Sequence, residues 1–120
     1  MVDLKRILCV MLTLIFVTIA GFSSAAFAND ASKLLIIDVR TVEEWNGGHI
    51  EGAILIPYDQ IGKGISAVAK DKSQRIYVYC RSGRRSTIAG GTLVKMGYKD
   101  VVNLGTLEDA AKILKLKIVK

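Results

Sequence analysis

The chain has 120 residues, a formal net charge of +6 and a hydrophobic content of 51%. That length holds one small domain at most, and the positive excess is spread too thinly, with no interleaved aromatics, to form a nucleic-acid-binding stripe. Two cysteines, Cys9 and Cys80, are too few for a cysteine-cluster metal site, and neither a metal nor a cofactor is expected.

The first element is a targeting segment. "MVDLKR" is a short, basic-ended start, "ILCVMLTLIFVTIAGF" is an apolar run from Ile7 to Phe22, and Ala26 and Ala28 supply the small residues of a cleavage site. The expected cut follows Ala28, giving a signal peptide over 1–28 and one domain over 29–120. The alternative is an uncleaved anchor, for which the apolar run is short. Either way the domain lies outside the cytoplasm, with no membrane contact once the segment is removed. Cys9 would leave with the signal. Cys80 is then the sole thiol, and an odd cysteine in an exported chain points to intermolecular pairing or a free reactive thiol.

Beyond the segment, apolar runs of strand length alternate with helical stretches. The strands predicted are "LLIIDV" (34–39), "AILIP" (53–57), "IYVYC" (76–80) and "VVNL" (101–104). Runs apolar on both faces suit strands covered on both sides. Helices are predicted in "TVEEWNGG" with Thr41 as N-cap, in "DQIGKGISAVAK" (59–70), in "STIAGGTLVKMG" from Ser86 to Gly97, and in "LEDAAKILK"; the last residues, "LKIVK", read as helix tail or short strand. The economical fold is α/β, a central parallel sheet of four to five strands with helices on both faces. Gly90 and Gly91 fall inside a predicted helix at a cost of up to about 1 kcal/mol each. Close packing of that helix on the sheet is the expected reason.

Active sites of open parallel sheets gather at the carboxyl ends of strands. Cys80 ends one, and "RSGRRS" follows it, with Arg81, Arg84 and Arg85 crowded around Gly83. A short glycine-containing turn before a helix can curl its N–H groups inward as an anion site. Amide dipoles and arginines favour the thiolate, so Cys80 reads as an activated nucleophile that needs no general base. An inert core cysteine beside a solvated turn is the plainer reading, but it does not call for three arginines within five residues. Cysteine phosphatases place arginine six positions after the cysteine. Here position six is Ser86 and the last arginine is Arg85, so the tighter loop fits one sulfur better than a phosphoryl group.

These residues carry a family resemblance. "CRSGRRS" resembles the C-x-x-G-x-R-S loop of rhodaneses, the thiosulfate sulfurtransferases. "IDVRTVEEWNGGHIEGAILIP" (37–57) and "KMGYKDVVNLGT" (95–106) are similar to two further motifs of that family, in the same order. The resemblance implies a rhodanese-like fold. It also implies attack of the Cys80 thiolate on thiosulfate, a Cys80 persulfide, and transfer of the sulfur to a thiophilic acceptor such as cyanide or a thiol. Substrate contacts would come from the loop, Arg81, Ser82, Gly83, Arg84 and Arg85. Arg85 would orient the turn and bind the anion, while Arg81 and Arg84 draw it in. Ser86 would cap the following helix.

Asp38 and Arg40 would support the active-site region, or else form an exposed local salt bridge worth less than about 1 kcal/mol. His49, the single histidine, is expected to hold a turn, and Trp45 and Tyr79 to pack. The chain departs from the family at Leu55, where a small polar residue is usual, and at Thr106, where a second glycine is common. The leading segment with one short domain is similar to small periplasmic members, so a periplasmic location is expected. Two rival functions stand beside the enzyme. One is a non-catalytic sulfane-sulfur carrier or docking module for a partner protein, and the other is a phosphatase.

Overall fold

The structure, a computed structural model, describes residues 34–120. The expected signal peptide, its cleavage site and Cys9 lie outside the described residues. Ten elements follow in order: β1 (Leu35–Asp38), α1 (Val42–Asn46), β2 (His49–Ile50), β3 (Ile54–Leu55), α2 (Ile61–Val68), β4 (Arg75–Cys80), α3 (Arg84–Lys95), β5 (Asp100–Thr106), α4 (Leu107–Leu114) and β6 (Ile118–Val119).

Four strands form one sheet in the order β3-β1-β4-β5, and every neighbouring pair is parallel. All four residues of β1 are buried, which is why its sequence is apolar at successive positions instead of alternating. One face of the sheet, with Ile37, Val39, Ile76 and Val78, packs on Ile61 and Ile65 of α2 and Ala89 and Leu93 of α3. The other face, with Ile36, Tyr79 and Leu104, packs on Ile50 of β2 and Ala110 of α4. The expected α/β sheet covered on both faces is therefore the fold. Each fully buried Ile or Leu contributes on the order of 1.5–3 kcal/mol, so these two layers hold the strand ends in place.

Three local expectations are decided, the first two as corrections. First, α3 begins at Arg84 and its N-cap is Gly83, with no side-chain cap bond. Ser86 therefore lies inside the helix and does not cap it, because the positive φ of Gly83 turns the chain into the helix early. Secondly, close packing does not explain the paired glycines. A Cβ on Gly90 would meet Val101 at an ordinary 3.7 Å, and one on Gly91 would meet nothing within 4 Å. Thirdly, the tail ends as a strand, β6, antiparallel to β2.

Candidate active site

The carboxyl ends of β1 and β4 lie side by side, Asp38 paired with Tyr79 and the Val39 N–H donating to the Tyr79 carbonyl at 3.1 Å. The next residue of β4 is Cys80. Its side chain has no exposed surface, so the sulfur sits beneath the loop and not at its mouth. The Gly83 N–H donates to Cys80 Sγ at 2.8 Å, and Ser86 Oγ lies 3.6 Å away. Gly83 is held at φ +90°, a conformation that favours glycine, and this aims its N–H back at the sulfur. Burial pushes the Cys80 thiol up. Hydrogen bonds from the Ser86 hydroxyl and from the N–H groups of Ser86, Gly83 and Ser82 outweigh it and hold the thiol below its ordinary value.

Ser86 can serve both charge states. Its hydroxyl has one hydrogen, which it donates to the Gly83 carbonyl at 2.9 Å. That carbonyl also receives Thr87 Oγ1 at 2.8 Å and the Thr87 N–H at 3.1 Å. Three donors exceed its two lone pairs, so Ser86 can turn its hydrogen to a thiolate and leave the carbonyl satisfied. Thr87 is in turn held by Asn103 Nδ2 at 3.0 Å, and Asn103 Oδ1 receives the Gly105 N–H at 2.9 Å. The end of β5 thus braces the loop.

The three loop arginines divide. Arg85 is gripped by Glu44 of α1 through two hydrogen bonds, Nη1 to Oε1 at 2.7 Å and Nη2 to Oε2 at 2.9 Å. The guanidinium is thereby turned toward α1, and its charge is matched by a carboxylate. The Arg85 guanidinium holds the Glu44 carboxyl down at about 2. Arg81 and Arg84 are exposed and line separate clefts. One, about 230 Å³, sets Arg81 with Arg40, Glu44, Leu107 and Glu108. The other, about 310 Å³, sets Arg84 and Arg85 with Ser82, Tyr58 and Ile88.

The Asp38–Arg40 pair is buried, not exposed, with side chains 0% and 6% accessible. Arg40 donates from Nε and Nη2 to the Asp38 carboxylate at 2.7–3.0 Å and from Nη2 to the Gly48 carbonyl at 2.6 Å. Tyr79 is more than packing. Its hydroxyl donates to Asp38 Oδ2 at 2.8 Å and accepts the Ile50 N–H at 3.0 Å. Burial, and the Asp38 carboxylate beside it, push the phenol well above its ordinary value. His49 stacks on Trp45 at 3.5 Å, with Nδ1 3.0 Å from the Trp45 carbonyl, a turn-holding arrangement. Leu55 lies beside Asp38 in the sheet register. Thr106 lies beside Cys80 and caps α4 by accepting the Asp109 N–H at 3.1 Å.

Glu44, Thr87 and Asn103 escaped the sequence reading. For Glu44 a local signal existed, the Thr41-x-x-Glu44 capping box, which forms in full. For the other two none did, since their contacts join residues 16 apart.

A parallel sheet with a cysteine cradled by amides at a strand end defines a class of α/β domains. This chain belongs to the rhodanese family: residues 24–106 match the rhodanese-like domain. It is 41% identical to the thiosulfate sulfurtransferase PspE of Escherichia coli K12 over 75 residues, covering 62% of this chain and 72% of that protein. It is 39% identical to the putative sulfur carrier protein YrkF of Bacillus subtilis, covering 60% of this chain but only 38% of that one. Among solved structures, an E. coli rhodanese with anions superposes with a TM-score of 0.67 at 38% identity, covering 73% of this chain and 99% of that one.

Proposed function

We propose that this protein is a sulfurtransferase that moves a sulfane sulfur from thiosulfate to cyanide or a thiol through a Cys80 persulfide. The observation that carries the reading is the amide-lined cradle at Cys80, in which the Gly83 N–H meets Sγ at 2.8 Å. In the first step the thiolate attacks the outer sulfur of thiosulfate. The bond between the two sulfurs of thiosulfate breaks, its electron pair leaves with sulfite, and Cys80 carries the persulfide anion. In the second step cyanide attacks the terminal sulfur, thiocyanate departs and the thiolate returns. The negative charge stays on sulfur at the loop throughout, where the amides of Ser82, Gly83 and Ser86 stabilise it without a proton transfer.

Because Sγ is fully enclosed, the loop shifts outward for the donor to arrive. The cleft with Arg84 and Arg85 has no lining carboxylate, while the one with Arg81 also contains Glu44 and Glu108. An anionic donor favours the former. Mass spectrometry after thiosulfate treatment tests the proposal: about 32 Da, one sulfur atom, is added at Cys80 and not in Cys80→Ser. Thiocyanate release with cyanide then separates the enzyme from a carrier. The similarity to a protein described as a sulfur carrier supports that second reading. A persulfide that persists without turnover on small acceptors would favour the carrier, and no added mass would overturn both.

The proposal includes export to the periplasm with loss of residues 1–28. Protein recovered from that compartment should begin at Asn29, and a mature form retaining Met1 would refute the cleavage.

A further inference from the structure

We infer that Glu44 is a positioning residue for the thiol: by gripping Arg85 it fixes the start of α3, and with it the amides that face Cys80. The inference concerns the loop's geometry and deepens the reading above without depending on its donor or acceptor.

The Glu44–Arg85 pair joins residues 41 apart in sequence. Arg85 lies between Gly83, whose N–H points at the sulfur, and Ser86, whose hydroxyl oxygen lies 3.6 Å from it. Both side chains of the pair are about three-quarters buried, at 23% and 24% exposure. The geometry is bidentate, the arrangement in which an arginine–carboxylate pair fixes orientation as well as distance.

Glu44 is itself anchored. Its N–H donates to Thr41 Oγ1 at 3.3 Å, and its Oε1 accepts from the Thr41 hydroxyl at 3.2 Å and the Thr41 N–H at 3.4 Å. Thr41 follows Arg40, which is locked to Asp38 at the end of β1. A continuous chain of contacts thus runs from the centre of the sheet, through Thr41 and Glu44, to the first turn of α3. The Gly83 N-cap supplies no side-chain bond of its own, so this outside grip supplements a helix start that lacks a side-chain cap.

Two effects of removing the Glu44 charge oppose each other, and their sign decides the matter. If Glu44 only neutralised Arg85, Glu44→Gln would expose Cys80 to an unpaired cation and favour the thiolate. If Glu44 positions the loop, the same change loosens the amides and disfavours the thiolate. The other charged or titratable groups around the loop are Arg81 and Arg84, Glu108 of α4, Tyr58, Asp38 at the end of β1 with Arg40 after it, and Tyr79 of β4. Glu44→Gln leaves them all in place. Glutamine also keeps the capping box, so α1 retains its N-terminus.

The experiment titrates thiolate ultraviolet absorbance against pH in the full chain, with Cys80→Ser as the blank for Cys9 and the tyrosines. In Glu44→Gln the midpoint moves to higher pH, so the thiolate fraction just below the original midpoint falls about threefold. Arg85→Gln gives the same direction, and the double variant adds little to either single one. Glu44→Asp, too short to reach Arg85 with both oxygens while capping, restores the fraction only in part. An unchanged or lowered midpoint in Glu44→Gln with native circular dichroism overturns the inference. If Glu44→Gln fails to fold, Glu44→Asp decides: it keeps the charge and shortens the reach, so a raised midpoint supports the positioning role and an unchanged one overturns it. Should the protein take up no sulfur from thiosulfate while the midpoint still rises, the sulfurtransferase reading fails and this one stands.

Discussion

Two neighbouring strand ends solve opposite problems. At the end of β1 a carboxylate is buried and met by charge: Asp38 takes a guanidinium from Arg40 and a phenol from Tyr79. At the end of β4 a sulfur is buried and met by neutral amides and one hydroxyl. The first arrangement is saturated, since Arg40, Tyr79 and the Gly48 carbonyl close the network, and it leaves no charge to offer a ligand. In the proposed function the second keeps its anion reactive, because amide dipoles stabilise a thiolate without joining it in a salt bridge. Charge against charge makes a scaffold here, and charge against dipoles is what the proposed nucleophile requires.

The largest test of that contrast is Asp38→Asn. It leaves the Arg40 guanidinium buried beside a neutral amide, a mechanism that costs about 3–5 kcal/mol. Urea unfolding should show that loss directly. A loss under about 1 kcal/mol would mean that the pair behaves like an exposed one, and the contrast would fail.

Gly83→Ala attacks the other strand end. An alanine at φ +90° carries a strain of about 1–2 kcal/mol. Space is not the obstacle, for its Cβ would stand 3.8 Å from Gly105 Cα. Relief of that strain turns the Gly83 N–H away from the sulfur. Stability should therefore fall modestly and thiol reactivity at acid pH sharply, the reverse of the balance at Asp38. Equal reactivity in the variant and the parent would show that this amide is dispensable.

How much of this the sequence reveals depends on the range of each cause. The four apolar runs and their alternation with helices are local facts, and they give the parallel sheet. The cysteine at a strand end, with glycine three residues later, is local too. The burial of Cys80 is not, because it depends on a loop folding back over its own strand. Ser86 carries a strong local signal for helix capping, yet the freedom of Gly83 starts the helix two residues earlier and frees the hydroxyl for the sulfur. The two-residue strands β2 and β6 have no periodicity to read, and only their meeting across the chain defines them. Asp38 and Arg40 are visible as a pair, but whether such a pair is worth little or much turns on burial, and burial here comes from Tyr79 and the turn at Gly48.

Ser86→Ala sharpens the comparison further. The variant removes one of the donors that hold the thiol below its ordinary value, leaving three amides. The Gly83 carbonyl keeps both Thr87 donors, so stability should barely change. At 3.6 Å the bond to sulfur is long, and the low end of the range for bonds to charged groups applies, about 1.5 kcal/mol. That corresponds to an alkylation rate at acid pH slower by roughly tenfold. A drop in melting temperature with unchanged reactivity would instead assign Ser86 to the scaffold.

The smallest effect belongs to Glu44, which touches both regions. Its carboxyl is held at about 2 against an ordinary 4.5, first by the Arg85 guanidinium. A carboxylate depressed in the folded state stabilises the fold above its unfolded value and loses that contribution as pH falls through its folded one. Between about pH 4.5 and 2 the parent should therefore lose stability that Glu44→Gln never had. With about a quarter of each side chain in water, the loss is about 1 kcal/mol after solvent screening. Melting curves of the two proteins, well separated at neutral pH, should converge across this window. Curves that stay parallel down to pH 2 would show that the ion pair does not govern Glu44, and that the link from the saturated strand end to the reactive one runs through some other contact.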